Sequence, residues 1–230
     1  MTETALIVGA GSGLSAALAR LFAKEGMRVA LAARNADKLA PLAAETSARA
    51  FACDASSPKD VSALFKAVGD AVGPPDLVVY NPSARAPGGV AELEPDAVLK
   101  ALLITCYGGF LVGQQAAKVM LEKGHGSILF TGASASVKGF PRSAAFAMGK
   151  FGLRGLAQSM ARELQPKNIH VAHFVIDGGI RRADDPRGNE RGPDGLLEPE
   201  AIAMTYLQVH RQHRSAWTSE VELRPWVEKF

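Results

Sequence analysis

Short apolar runs, often rich in β-branched residues, alternate along the chain with longer stretches of amphipathic helical spacing. This alternation is typical of βαβ units and predicts a parallel sheet with helices on both faces. Most of the runs are almost continuously apolar, as expected for strands that have no face open to solvent. The predicted strands are Ala5–Gly9, Arg28–Ala32, Ala48–Cys53, Leu77–Asn81, Ser127–Thr131 and Ile169–Ile176, and the predicted helices cover residues 13–26, 36–46, 58–72, 95–122 and 143–165.

The pattern continues toward the end of the chain with a predicted helix, Pro199–Arg214, and a short strand, Glu220–Leu223. Ser57-Pro58 and Glu198-Pro199 each place proline at the first position of a helix, where its missing N–H has no partner to lose. The chain has 230 residues and contains no internal repeat or linker. We therefore predict an α/β fold: one three-layer Rossmann-type domain over residues 1–230, with a doubly wound parallel sheet.

One segment, Arg181–Leu197, breaks this pattern. Its sequence, RRADDPRGNERGPDGLL, is dense in proline, glycine and mixed charge and has no period of two or of 3.6. It directly follows the last strong parallel strand, and ligands of open α/β sheets bind outside the carboxyl ends of the strands. Two interpretations stay open: a solvated surface loop, or a substrate lid at about residues 181–198.

Composition excludes several classes of function. The 26 basic and 23 acidic residues are spread along the chain, so the formal charge of +3 gives no clustered basic face for nucleic acid. Cys53 and Cys106 form no CxxC and are interpreted as small hydrophobic residues. The start of the chain lacks the basic region of a signal peptide, and the apolar stretch Val98–Met120 is interrupted by glycines and glutamines. We expect a cytoplasmic protein that binds neither nucleic acid nor membrane.

No group of His, Cys, Asp or Glu residues has metal-ligand spacing, so no metal site is predicted. His210 and His213 share one face of the predicted helix but have no evident partner ligand. All the histidines are predicted at surface positions: His125, His170, His173, His210 and His213.

A glycine-rich turn joins the first strand to the first helix and reads Gly9-Ala10-Gly11-Ser12-Gly13-Leu14. Glycines let the backbone turn sharply and approach a pyrophosphate, while the new helix offers free N–H groups and the positive end of its dipole. Its position between a strand and a helix predicts a dinucleotide site. Ser15 stands where a third glycine usually eases packing, and serine is small enough to be tolerated.

The end of the second strand indicates which dinucleotide is bound. NAD sites usually place Asp or Glu there to accept hydrogen bonds from the ribose 2′-hydroxyl. This chain has Ala33 followed by Arg34, and a guanidinium can bind a 2′-phosphate that a carboxylate would repel. The sequence predicts NADP(H) in preference to NAD(H); the alternative is that Arg34 only caps the next helix.

With these motifs in place, the chain resembles the short-chain dehydrogenase/reductase family over nearly its whole length. Asp54 falls at the family's adenine-binding aspartate, and Asn81 begins the family's Asn-Ala-Gly turn, here Asn81-Pro82-Ser83-Ala84. The family's Pro-Gly after the sixth strand is replaced by Asp177-Gly178. Together, the motifs and the resemblance indicate cofactor contacts at Gly9, Gly11, Ser12, Gly13, Leu14, Arg34, Asp54, Asn81, Lys150, Gly178 and Ile180.

The resemblance also marks four catalytic positions, at which the family has Asn, Ser, Tyr and Lys. Ser134 and Lys150 match, whereas Phe146 occupies the tyrosine position and Thr105 the asparagine position. In the family the tyrosine passes a proton to or from the substrate oxygen, the lysine lowers its pKa and holds the ribose, and the serine polarises the carbonyl. Phenylalanine has no proton to give, and losing a general acid typically costs roughly 10²–10⁴ in rate.

Two functions follow. The first is an NADP(H)-dependent oxidoreductase that transfers hydride to a carbonyl or to a conjugated C=C bond of a small-molecule substrate, with a proton from water, Tyr107, Tyr80 or Ser143. The second is a catalytically weak or inactive NADP(H)-binding sensor or partner subunit. The resemblance further implies a homodimer or homotetramer. Trp217, near the end of the chain, packs either against a second subunit or in the core of its own domain.

Overall fold

The computed structural model describes residues 2–182, 192 and 194–228. Within this part of the chain, the strands form one seven-stranded sheet in the order β3-β2-β1-β4-β5-β6-β7. Every neighbouring pair is parallel. The strands are β1 (Thr4–Val8), β2 (Arg28–Ala33), β3 (Arg49–Ala52), β4 (Leu77–Tyr80), β5 (Gly126–Thr131), β6 (Ile169–Ile176) and β7 (Glu220–Leu223).

Helices connect these strands on both faces of the sheet. Their bounds are α1 (Leu14–Lys24), α2 (Ala40–Thr46), α3 (Pro58–Ala71), α4 (Pro95–Leu102), α5 (Gly108–Lys123), α6 (Ala144–Leu164) and α7 (Pro199–His210). Side chains on alternate positions of a strand point to opposite faces. On β1, Ile7 packs into the cluster formed with α1 and α7, and Leu6 and Val8 into the cluster formed with α3, α5 and α6. The predicted three-layer Rossmann-type fold is confirmed.

The helix predicted over residues 95–122 is interrupted by a π-helical turn, Leu103–Tyr107. The interruption has an identifiable cause, since the hydroxyl of Tyr80 donates a hydrogen bond to the carbonyl of Ile104. A side chain that reaches into the ladder of helical hydrogen bonds is a common origin of such a turn. The sequence pattern could not show this π-helical turn, because the contact comes from Tyr80 on β4, which is distant in the sequence.

The whole stretch Pro95–Lys123 is long and apolar enough to cross a membrane by length and composition, with a mean hydropathy of 1.5 in its most apolar window. Core helices of globular proteins pass the same test. In this fold 39% of that window is buried, and Val112, Ala116 and Met120 are fully buried in the cluster on the second face of the sheet. The stretch therefore packs as a layer of the domain.

The prediction that the histidines lie at the surface is wrong for several of them. His170 and His173 on β6 are each 1% exposed, because this strand is covered on both faces. The His170 ring stacks on Trp217 at a centroid distance of 4.7 Å, so the tryptophan packs within its own domain. The prediction that His210 and His213 share a helix face is also wrong, since α7 ends at His210 and His213 lies beyond it. His210 is almost buried and contacts the Ser127 hydroxyl at 2.9 Å.

Candidate cofactor and active site

A cavity of about 1360 Å³ opens at the carboxyl ends of β1 and β4. The strand order reverses at these two strands, and this is where open α/β sheets bind their ligands. The glycine-rich turn, the ends of β2, β3 and β4, and α4 line the cavity. It brings together six of the residues predicted to contact the cofactor: Gly9, Gly11, Ser12, Arg34, Asp54 and Asn81.

The glycine-rich turn is held in place by a chain of hydrogen bonds. Gly9 has a φ of +82°, and a Cβ added to it would lie 2.7 Å from the backbone nitrogen of Pro82. The Ser15 hydroxyl donates to the Gly9 carbonyl at 3.1 Å, and the Asn81 amide donates to the Ser15 hydroxyl at 2.8 Å. Ser15 therefore links the turn to the end of β4, a role that its place in the glycine motif did not indicate.

The start of α1 fits a phosphate-bearing ligand. A Cβ added to Gly11 or Gly13 would meet nothing within 4 Å, so the backbone there faces open space. Gly13 is the N-cap, no side chain caps the helix, and the first turn carries no acidic residue. Uncapped N–H groups and the positive end of the helix dipole favour an anion. The side chain of Leu14 is buried in the core and does not line the cavity, so a cofactor contact of Leu14 would have to come from its backbone.

Basic side chains surround the outer part of the cavity. Arg34 is exposed at the end of β2, and Lys38 and Lys100, which no sequence motif marked, line the same space. The side chain of Asn35, not Arg34, accepts the hydrogen bond from the Asp37 N–H that opens the next short helix, at 3.0 Å. Asn35 therefore supplies this contact at the start of the short helix, and the role of Arg34 toward the cofactor stays a prediction.

Asp54 is the acidic group at the end of β3. Its Oδ1 atom accepts hydrogen bonds from the Ser56 hydroxyl at 2.6 Å and the Ser56 N–H at 2.9 Å. These two bonds, with a smaller contribution from the nearby positive charge of Arg34, lower the pKa of Asp54. The carboxylate stays ionised at neutral pH and lines the cavity as a hydrogen-bond acceptor.

The predicted catalytic side chains lie at the carboxyl end of β5 and on α6. Lys150 is 2% exposed and donates a hydrogen bond from Nζ to the Thr131 carbonyl at 2.7 Å. Burial, and then the positive charge of Arg85, lower the pKa of Lys150 from 10.5 to about 7. Phe146 is buried, and its ring centroid lies 6.0 Å from Nζ of Lys150. Ser134 begins a short helix directly after β5 and is half-buried.

Arg85 connects these side chains to the cavity. It follows Asn81-Pro82-Ser83-Ala84, lines the cavity, and places its guanidinium carbon 4.0 Å from the centroid of the Phe146 ring. Ser134, Phe146 and Lys150 are not among the residues that line the cavity. No sequence motif marked Arg85; the only signal was a basic residue just beyond the turn that begins with Asn81.

Comparison with known proteins decides the family. The family model for short chain dehydrogenase matches residues 3–181. The chain belongs to this family. It is 31% identical over 203 residues to D-threitol dehydrogenase of Mycolicibacterium smegmatis, covering 81% of this chain and 76% of that protein. Known relatives are called dehydrogenases, reductases and oxidoreductases, and the chain is a short-chain oxidoreductase.

Solved structures agree with this assignment. A short-chain dehydrogenase from Rhodopseudomonas palustris is 41% identical, with a TM-score of 0.84 and coverage of 97% of this chain and 99% of that one. A metagenomic short-chain oxidoreductase in complex with NADP is 26% identical, with a TM-score of 0.84 and coverage of 98% of both chains.

In this short-chain oxidoreductase, the candidates for a replacement proton donor differ in their surroundings. Tyr80 is fully buried and bonded to the Ile104 carbonyl, and burial raises the pKa of its hydroxyl far above the usual range. It cannot act on a ligand in the cavity. Tyr107 is 40% exposed and stacks on Phe110, and Ser143 is the N-cap of α6.

Backbone contacts just after β6 bring together the two ends of the segment Arg181–Leu197. Ile180 forms a parallel bridge with Leu197, and the Arg181 N–H donates to the Leu197 carbonyl at 2.8 Å. A Cβ added to Gly178 would lie 2.8 Å from Cδ of Pro225, so only glycine fits there without movement. Residues 183–191 and 193, the centre of the predicted lid, lie outside the described residues, and the lid stays a prediction.

Across residues 2–182, 192 and 194–228, no three His, Cys, Asp or Glu side chains stand close enough together to hold a metal ion.

Proposed function

We propose that this chain is an NADP(H)-dependent oxidoreductase that reduces a carbonyl or a conjugated C=C bond of a small-molecule substrate. The observation that carries the cofactor preference is Arg34, which is exposed at the end of β2 and lines the cavity. It follows Ala33, which stands where an NAD site would place a carboxylate. The metagenomic relative with bound NADP supports a nicotinamide cofactor in this fold.

The residues present fit that cofactor, which when bound supplies a hydride. The open backbone at Gly11 and Gly13 and the uncapped start of α1 suit the pyrophosphate. The ionised carboxylate of Asp54 suits the amino group of adenine. The family resemblance assigns the ribose hydroxyls of the nicotinamide half to Lys150 and the substrate oxygen to the Ser134 hydroxyl.

Phe146 restricts the chemistry that these residues can support. Its ring carries no proton, so Phe146 cannot act as the general acid that the family's tyrosine supplies. Reduction of a conjugated C=C bond fits this site better than reduction of a simple ketone, because an enolate oxygen needs stabilisation more than it needs an adjacent acid. The Ser134 hydroxyl can supply such stabilisation as a hydrogen-bond donor.

An exposed apolar face on α4, the π-helical turn, α5 and α6 supports self-association. Its large side chains are between 36% and 55% exposed in the single chain: Leu99, Leu103, Phe110, Met148 and Phe151. Apolar patches of this kind on monomers commonly mark interaction sites. We propose that a second copy of the chain covers this face, in a homodimer or homotetramer.

The cofactor preference is tested with Arg34→Ala. Wild type is expected to bind NADPH roughly 10- to 100-fold more tightly than NADH, since a bidentate contact to a charged group contributes about 1.5–3 kcal/mol. The variant is expected to bind both cofactors equally in calorimetry. Arg49→Ala is the matched control, because Arg49 is an exposed arginine on β3 that does not line the cavity. Equal affinity of wild type for the two cofactors would contradict the proposal.

Phe146 also favours a second candidate function, an NADP(H)-binding sensor or partner subunit. That function predicts the same NADPH affinity without turnover of any carbonyl or enone in a substrate screen. Turnover of NADPH with an activated alkene would exclude it.

A further inference from the structure

The two altered catalytic positions contact the same loop. Thr105, at the asparagine position, is fully buried, and its hydroxyl accepts a hydrogen bond from the Ala84 N–H at 3.0 Å. Phe146, at the tyrosine position, lies under the guanidinium of Arg85, the residue that follows Ala84. Both contacts are made by the residues that replace the family's asparagine and tyrosine. Together they hold the backbone at Ala84 and the side chain of Arg85.

The loop around Arg85 is fixed on several sides. Ala86 is buried and packs with Ala101 of α4 and Ala145 of α6. The Gly88 N–H donates to the Arg142 carbonyl at 3.2 Å. These contacts position the backbone of residues 84–88, and the aromatic face of Phe146 positions the side chain of Arg85. Stacking on an aromatic ring is a typical arrangement for a guanidinium that is poised to bind an anion.

Arg85 carries its positive charge at the lining of the cavity. The guanidinium is exposed and lines the cavity, and no carboxylate among the described residues pairs with it. The other ionisable group near it is Lys150, also a cation when protonated, and the two repel each other. An exposed guanidinium that lines a binding cavity, with no described carboxylate paired to it, favours an anionic ligand.

We propose that Arg85 anchors a carboxylate of the substrate, so that this enzyme acts on unsaturated or 2-oxo carboxylic acids. The guanidinium presents parallel N–H donors that match a carboxylate in a bidentate pair. Its proposed role is to bind the anion through these N–H groups and not to transfer a proton. Phe146 is the positioning residue for this contact, and Thr105 positions its loop. The inference rests on the proposed function, since binding of the carboxylate would place the β-carbon of an unsaturated acid, or the carbonyl carbon of a 2-oxo acid, where the hydride is delivered.

The test compares crotonate with crotonamide, two probes with the same carbon skeleton that differ in charge. Calorimetry on the full chain, with and without NADP⁺, is expected to show at least tenfold tighter binding of crotonate. Arg85→Gln should remove this difference. Arg85→Lys should restore it only in part, because an ammonium keeps the charge but loses the planar pair of donors. Phe146→Leu, which removes the ring under the guanidinium, should weaken crotonate binding several-fold.

Arg142→Gln is the control, since it removes the same charge from an exposed arginine whose described contact to the loop is through its backbone carbonyl. Equal binding of the two probes by wild type would overturn the inference. So would an Arg142→Gln effect as large as that of Arg85→Gln, or a loss of NADPH affinity in Arg85→Gln that matches the loss of crotonate. A wild type that prefers crotonate but does not bind NADPH would contradict the proposed function alone.

Discussion

Phe146→Tyr is expected to increase the reduction of simple ketones with NADPH by roughly 10²–10⁴-fold, the usual contribution of a positioned general acid. The new hydroxyl would lie one helical turn before Lys150, whose Nζ is 6.0 Å from the centre of the present ring. The protonated lysine would lower the pKa of the phenol and allow it to pass a proton to the substrate oxygen. Initial rates on generic ketones and aldehydes measure the gain.

Phe140→Tyr is the control for this substitution. Phe140 also lies near a lysine, with Nζ of Lys138 5.8 Å from its ring centre, but it is 45% exposed, whereas Phe146 is buried beside Lys150. Strong ketone reduction by wild type would show that another residue supplies the proton and would refute this account of Phe146. No activity in either protein, with NADPH binding intact, would favour the sensor.

The substitution Thr105→Asn is to be added to Phe146→Tyr only in a second experiment. The Thr105 hydroxyl bonds to the backbone of Ala84, and a Cβ added to Gly149 would lie 2.9 Å from the Cβ of Thr105. The larger asparagine must displace part of this packing. The double variant Phe146→Tyr with Thr105→Asn is therefore informative only after the single variant has been measured.

Lys150→Met is expected to stabilise the cofactor-free protein by as much as about 5 kcal/mol below pH 7. Burial and Arg85 lower the pKa of Lys150 in the folded state to about 7, against 10.5 for an unperturbed lysine. Between these values the unfolded chain binds the extra proton, so the stability of wild type rises with pH. The advantage of methionine should shrink through this range and vanish near pH 10.5.

Urea unfolding of wild type and Lys150→Met at pH 6, 8 and 10 measures this trend. Lys118→Met serves as the control, because Lys118 is exposed on α5 and its replacement should change stability by less than about 0.5 kcal/mol at each pH. A stability difference between wild type and Lys150→Met that stays constant with pH would show that Lys150 does not titrate in this range.

The sequence predicted the sheet well because its strands are covered on both faces and are therefore almost continuously apolar. The predicted ends of β1, β2 and β4 agree with the structure to within one residue. The cofactor side of the site was also predictable, since Gly9, Asp54 and Asn81 follow parallel strands whose carboxyl ends meet at one edge. These inferences need only local pattern and the geometry of parallel sheets.

Contacts between distant segments could not be predicted in this way. The π-helical turn depends on the Tyr80 hydroxyl, and the interpretation of Arg85 depends on the ring of Phe146 on another helix. The buried histidines show the same limit. His170 stacks on the ring of Trp217 and contacts the carbonyl of Thr218, and both partners lie on a distant segment of the chain. The sequence around His170 gives no sign of either partner.

The stack of Trp217 on His170 provides an optical reporter for the edge of the sheet. The chain has two tryptophans; Trp217 is half-buried directly before β7, and Trp226 is 82% exposed. In a Trp226→Phe variant, all tryptophan emission would come from the residue stacked on the imidazole. Detachment of β7 from β6 would move that emission toward longer wavelengths. Fraying of the last strand could then be followed by fluorescence separately from the unfolding of the remaining strands.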